Sequence, residues 1–142
     1  MYKANDISQW FINRAIESNA NEGGDYITNL KLHKLMYYAQ GCHLAMYNEP
    51  LFNEEIYNWE YGPVVKSIYQ CNSKNPFTEY KQIKIDEKTN ALLEEVYKVF
   101  GKFSAWALME MTHSEDPWKN TNRNDIIPKE SIRQYFVENV VE

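Results

Sequence analysis

The stretch Leu32-His33-Lys34-Leu35-Met36-Tyr37-Tyr38-Ala39-Gln40-Gly41-Cys42-His43-Leu44-Ala45-Met46-Tyr47 decides how this chain folds. Leu32, Leu35, Met36, Ala39, Cys42 and Met46 recur at i, i+3, i+4, i+7, i+10 and i+14, one continuous stripe along an α-helix. Tyr37, Leu44 and Tyr47 form a second stripe beside it. The helix is therefore apolar over more than one face and reads as the central helix of the domain, with Thr28 or Asn29 as its cap. Gly41 inside it costs about 1 kcal/mol against alanine, a cost that points to another element packing close there. Lys31, His33 and Lys34 read as a solvated face of the same helix.

Upstream, Asn5 to Glu17 predicts a first helix, capped by Asn5 or Asp6, with Ile7, Trp10, Phe11, Arg14 and Ala15 at helical spacing. Asn19 to Asp25, containing Gly23-Gly24, reads as a loop. Downstream the periodicity breaks between Pro50 and Tyr61. Ile56 to Trp59 reads as a short extended piece ending at Gly62-Pro63, and Pro63 suits the first turn of a helix through Val64, Val65, Ile68 and Tyr69. Asn72 to Pro76 is turn-rich. Tyr80 to Asp86 alternates polar and apolar residues and can pair with the earlier extended piece. Asp86 caps a helix carrying Leu92, Leu93, Val96, Tyr97 and Phe100, which stops at Gly101. Ser104 caps the next, through Trp106, Ala107, Leu108 and Met111. Asp116-Pro117 starts a short helical turn, and a last helix from about Pro128 uses Ile132, Tyr135, Phe136 and Val140. The expectation is a mainly α fold: a single compact helical domain over residues 1–142 with a small β hairpin-like patch.

The chain has 142 residues, of which 44% are hydrophobic and 25% charged, an ordinary globular balance that argues against global disorder. Fifteen basic against 20 acidic side chains give a formal charge of −5, with no basic stripe of the kind a general nucleic-acid binder shows. No nucleic-acid partner is expected, and no apolar run approaches a membrane span. Cys42 and Cys71 are the two cysteines and lack metal-ligand spacing. Free thiols in a cytoplasmic protein are the default, and a Cys42–Cys71 bridge stays open. Eleven tyrosines suit either a contact surface or a half-buried shell around the core.

Candidate chemistry concentrates in Thr112-His113-Ser114-Glu115-Asp116-Pro117-Trp118. One reading is structural: His113 bonds the last carbonyls of a helix, Asp116 caps the next segment, and Trp118 folds back on the core. The other takes His113, Glu115 and Asp116 as metal ligands or an acid/base pair. No second histidine cluster supplies further ligands, and adjacent positions on a helix point to different faces. His33 and His43 do not face the same side of their helix, and both read as structural or surface groups. Gly23-Gly24 lacks the lysine and the serine or threonine of a phosphate loop. No catalytic residue, cofactor or metal is expected.

Three clusters together resemble the Panacea antitoxin family, also described as SocA-like or phage-associated GepA-like. The first is Leu32-His33-Lys34-Leu35-Met36-Tyr37-Tyr38-Ala39-Gln40-Gly41. The second is Pro50-Leu51-Phe52, then Glu55-Ile56, Trp59 and Gly62-Pro63-Val64-Val65 with Tyr69. The third is Ser104-Ala105, Leu108, Thr112-His113, Glu115 and Pro117-Trp118, followed by Ile132 and Tyr135-Phe136. Asn58 stands where alanine is common, and His33 where glutamine is frequent. Motif residues Leu32, Lys34, Leu35, Tyr37, Tyr38, Trp59, Gly62, Pro63, Thr112, His113, Glu115, Pro117 and Trp118 read as structural.

The resemblance implies an α-helical domain, often prophage- or mobile-element-encoded, that neutralises a nearby-encoded toxin by protein–protein contact. For some members it also implies delivery of the toxin to an AAA+ protease. Two other readings stand beside it: a phage accessory protein inhibiting a host defence protein, and a small hydrolase or metal enzyme using His113, Glu115 and Asp116. Tyr57, Tyr61 and Tyr80 have no clear place in a helical core stripe and are the candidate partner-binding residues.

Overall fold

The computed structural model describes residues 1–22, 26–71 and 77–141. In chain order its elements are α1 (Ala4–Glu22), α2 (Asn29–Tyr47), β1 (Ile56–Trp59), β2 (Gly62–Val65), α3 (Lys66–Cys71), α4 (Glu87–Phe100), α5 (Ala105–His113), α6 (Asp116–Lys119) and α7 (Lys129–Asn139). The fold is mainly α with one small antiparallel two-stranded sheet.

Every residue of α2 from Leu32 to Gly41 is buried, as a helix apolar on more than one face requires. It achieves this because α1, α4, α5, α7 and β2 all pack around it. Gly41 is where α7 comes closest: a Cβ there would stand 2.4 Å from the Phe136 ring. The close packing expected at that glycine is α7. Toward its C-terminus the helix leaves the core, so Cys42 is half-buried and Met46 exposed. Asn48 ends it in the left-handed conformation (φ 56°), donating its N–H to Leu44 O at 2.9 Å.

Local capping chemistry sets the helix starts. Thr28 Oγ1 accepts from Lys31 N at 3.3 Å, Asp86 Oδ1 from Thr89 N at 2.8 Å, and Ser104 Oγ from Ala107 N at 3.0 Å. Gln40, buried in α2, holds the loop that follows: its Oε1 accepts from Leu51 N at 2.8 Å and its Nε2 donates to Phe52 O at 2.8 Å. A side-chain amide thus satisfies backbone groups that would otherwise be buried without partners.

The structure corrects several sequence expectations. The first helix runs on to Glu22, so part of the Asn19 to Asp25 stretch is helical; Gly23-Gly24 lies outside the described residues, as do residues 72–76. Pro63 opens no helix. It sits in β2, whose register with β1 pairs Ile56 with Val65, Tyr57 with Val64, Asn58 with Pro63 and Trp59 with Gly62. A two-residue turn, Glu60-Tyr61, closes this hairpin, and pairing across so short a loop costs little closure entropy. The Tyr80 to Asp86 stretch is therefore not the partner of β1. It runs beside α1, with Asn13 Nδ2 donating to Lys81 O at 2.7 Å and Lys81 N to Asn13 Oδ1 at 3.1 Å. The other edge of β1 is covered by the chain after α6: Asn58 N donates to Asp125 O at 2.9 Å, and Ile127 N to Ile56 O at 2.8 Å.

His33 and Lys34 are not a solvated face. They are 2% and 0% exposed, covered by β2. Lys31 is half-buried and donates from Nζ to Gly101 O at 2.6 Å. Cys42 is half-buried and unbridged among the described residues, with burial raising its thiol to about 12. The Cys71 side chain lies outside the described residues. No described helix is long and apolar enough to cross a membrane.

Candidate functional site

Lys34, Tyr37 and Tyr38 stand at i, i+3 and i+4 on α2, hence on one face. That face meets the β1–β2 hairpin and the α5–α6 junction. Tyr37 and Tyr38 donate their hydroxyls to Glu115, to Oε1 at 2.9 Å and Oε2 at 2.8 Å. Tyr38 also stacks on Phe100, with centroids 4.0 Å apart. Burial raises the Glu115 carboxyl above its ordinary value, opposed by the two tyrosine hydrogen bonds. It equally raises both phenols.

This corrects the reading of the α5–α6 junction. Glu115, not Asp116, is the residue ahead of α6, and it makes no side-chain cap because its carboxylate turns inward. Asp116 is exposed, 3.8 Å from Lys119 Nζ. His113 bonds no helix carbonyl. Its ring stacks on Trp118 with centroids 4.0 Å apart, and Nε2 is buried without a hydrogen-bond partner. The three side chains of the proposed His-Glu-Asp cluster thus go to three different places. No group of three or more potential metal ligands occurs among the described residues.

Lys34 lies against the hairpin turn. Its Nζ donates to Pro63 O at 3.4 Å. A Cβ on Gly62 would stand 2.5 Å from Lys34 Cε and 2.9 Å from Thr112 Oγ1, and Gly62 has φ +110°. Only glycine meets both demands, the left-handed backbone and the close approach. Burial lowers the Lys34 ammonium to about 7. Beside it, His33 Nδ1 accepts from Val65 N at 3.1 Å, and Nε2 lies 3.0 Å from Asn29 Oδ1. Nδ1 must be the acceptor, so the ring is neutral with its proton on Nε2. Burial, and then the Lys34 charge, lower it to about 3.

Above His33 and Lys34 opens a cleft of about 870 Å³. Trp59, Val64, Tyr69 and Trp106 wall it; Glu60, Tyr61, Arg123 and Asn124 complete its rim. Trp59 meets Tyr69 edge-on at 5.0 Å, and Trp118 Nε1 holds the Trp59 carbonyl at 3.0 Å. Trp59 is half-buried rather than packed inside the core, and so is Trp118. Three large aromatics stand open at this one mouth: Tyr61, Tyr69 and Trp106 are 56%, 47% and 60% exposed.

Of the three tyrosines singled out in the sequence, Tyr61 belongs to this cleft. Tyr57 is half-buried on the same strand as Trp59, with Lys66 Nζ 5.3 Å from its ring centroid. Tyr80 sits elsewhere, in a depression with Trp10, Asn13 and Arg14. Sequence reasoning placed Trp106 in a core stripe and Tyr69 on a core helix. In α5 the buried positions are Leu108, Met109 and Thr112, and Trp106 is left exposed. His33, Arg123 and Asn124 join the cleft only through the fold.

Residues 32–119, more than half of the chain, match the family described as Antitoxin SocA-like, Panacea domain. Over 109 residues the chain is 31% identical to Antitoxin SocA of Caulobacter vibrioides (strain NA1000 / CB15N), covering 65% of this chain and 58% of that protein. It thus spans less than two thirds of that relative's length. No solved structure matches. The matched segment contains α2 from Leu32 onward, the hairpin, α3, α5 and α6, and with them the Glu115 site; of the cleft lining, Asn29, Leu30, Arg123 and Asn124 lie outside it. The chain belongs to the SocA-like Panacea antitoxin family.

Proposed function

We propose that this protein neutralises a toxin encoded beside it by direct contact, and that the aromatic cleft above Lys34 is the contact surface. The observation that carries the reading is the exposure of Tyr61, Tyr69 and Trp106 around one mouth. Tyrosine and tryptophan dominate the residues that hold protein interfaces together, because a large rigid ring loses little entropy on being covered. An open cluster of such rings is disfavoured on a free surface and is relieved by a partner. The depression at Tyr80 lacks such a cluster, and Tyr57 is half-buried outside the lining of the cleft.

The test is growth rescue when the protein is co-expressed with the product of the adjacent reading frame, normalised to soluble protein. Trp106→Ala and Tyr61→Ala should abolish or strongly weaken rescue while melting within a few degrees of wild type. Tyr80→Ala should rescue fully. Full rescue by both cleft variants overturns the assignment of the surface. Repeating the assay in a host lacking its AAA+ proteases separates the two ways an antitoxin works: rescue that persists means masking, and rescue that vanishes means delivery for degradation. An adjacent product that is not toxic, together with binding to a host defence protein, favours the accessory-protein reading instead.

A further inference from the structure

Lys34 is fully buried, yet among the described residues its ammonium has a single hydrogen bond, to Pro63 O at the long distance of 3.4 Å. An ammonium carries three donors, and no ion pair of the described residues includes this one. Buried charges are ordinarily paired, because desolvation without compensation is costly. Glu115, buried at the same face, accepts from Tyr37 and Tyr38 and forms no ion pair with Lys34 among the described residues. Lys34 also forms part of the wall of the cleft, next to Trp59 and Tyr69. Two basic side chains, Lys34 and Arg123, line that cleft against one acidic one, Glu60, in a chain of net charge −5. Its remaining walls are largely aromatic, a low-dielectric surrounding in which a charge pair interacts far more strongly than in water.

We propose that the cleft receives an acidic side chain, a glutamate or aspartate carried on an apolar segment of the protein partner, and that its carboxylate meets Lys34. This rests on the reading of the cleft as the partner surface. The apolar flanks of the segment cover Tyr61, Tyr69 and Trp106, while the carboxylate supplies the counter-charge that the fold withholds from Lys34. The lysine held near 7 by burial is restored to its charged form as the carboxylate arrives.

Two blocked tripeptides, Leu-Glu-Leu and Leu-Gln-Leu, test this with the intact protein, followed by NMR of the lysine ε-carbons. The glutamate peptide should bind about tenfold tighter than the glutamine peptide and move the Lys34 resonance. The Lys34→Met variant, whose fold is checked by its melt, should lose that preference. Wild-type protein alone already decides the matter: equal binding of the two peptides, binding of neither, or a Lys34 resonance that stays still overturns the proposal. The two readings fail separately. If the peptides are not distinguished but Trp106→Ala loses rescue, the acidic contact is wrong and the antitoxin surface stands. If Lys34 selects the glutamate peptide but both cleft variants rescue fully, the acid site stands and the toxin lies on another face.

Discussion

Glu115, packed against α2, and Lys34, on α2 itself, are both buried, and the fold treats them in opposite ways. The carboxylate faces two hydroxyls at 2.8 and 2.9 Å; the ammonium has one carbonyl at 3.4 Å. The first is a closed arrangement, in which each oxygen has a donor and the residue ties the α5–α6 junction to the central helix. The second is left short of partners in a buried place that borders the cleft. A buried polar group that is fully satisfied specifies structure. One that is left short of partners imposes a standing cost, and such costs concentrate where a protein meets something else.

Substitutions at three positions sharpen or break that contrast. The largest effect belongs to Gly62→Ala, which puts a Cβ 2.5 Å from Lys34 Cε on a backbone at φ +110°. Strain and overpacking together should cost about 2–4 kcal/mol, read by chemical denaturation. A loss below about 1 kcal/mol would mean that Lys34 has freedom to move and that the turn is not packed against it.

Next comes Glu115→Ala, which strands two buried phenols and should cost about 2–3 kcal/mol. Glu115→Gln keeps an acceptor and should cost less than half as much. Equal losses from the two variants would show that the carboxylate does not bridge the tyrosines. If the proposed antitoxin reading holds, neither variant should lose growth rescue beyond what its lowered stability explains.

The smallest expected effect has the opposite sign. Lys34→Met removes a poorly paired buried charge at similar volume and should stabilise by about 1–2 kcal/mol at pH 6. The pH dependence follows from the lowered pKa. Below about 7 the folded state holds the ammonium and carries its full burial cost. Between about 7 and the ordinary lysine value the unfolded chain binds more protons than the folded one, so wild-type stability rises with pH. The advantage of the methionine variant should therefore shrink between pH 6 and pH 9. Melts of both proteins at the two pH values check this, and a methionine variant less stable at pH 6 would show that Lys34 is paired after all.

Legibility in the sequence followed the range of the interaction concerned. The α2 stripe from Leu32 to Ala39, the caps at Thr28, Asp86 and Ser104, and the close approach at Gly41 depend on neighbours within a turn or on the intrinsic cost of one residue, and each is as the sequence predicts, whereas Cys42 and Met46 at the end of the stripe leave the core. Pro63 misled because its fixed φ suits a helical first turn and an edge strand equally. The short Glu60-Tyr61 turn selected the strand. Asp116 misled because a side chain at a helix start ordinarily caps, whereas here Glu115 occupies that place and is drawn inward by two tyrosines far away in the chain.

By itself the sequence determined that this chain folds as a mainly helical domain around α2, because a periodic apolar surface has to be buried whatever covers it. It also carried the family motifs, since order and spacing survive in a linear string. Only the tertiary structure decided what those motif residues do. Lys34 and His33 have the local pattern of a solvated helix face, and their burial depends on β2 closing over them. Trp59, Tyr61, Tyr69 and Trp106 are separated along the chain and become one surface only when the hairpin, α3 and α5 meet above α2. Burial and juxtaposition are properties of long-range packing, and hydrophobic periodicity within a segment carries no record of which segment will cover it.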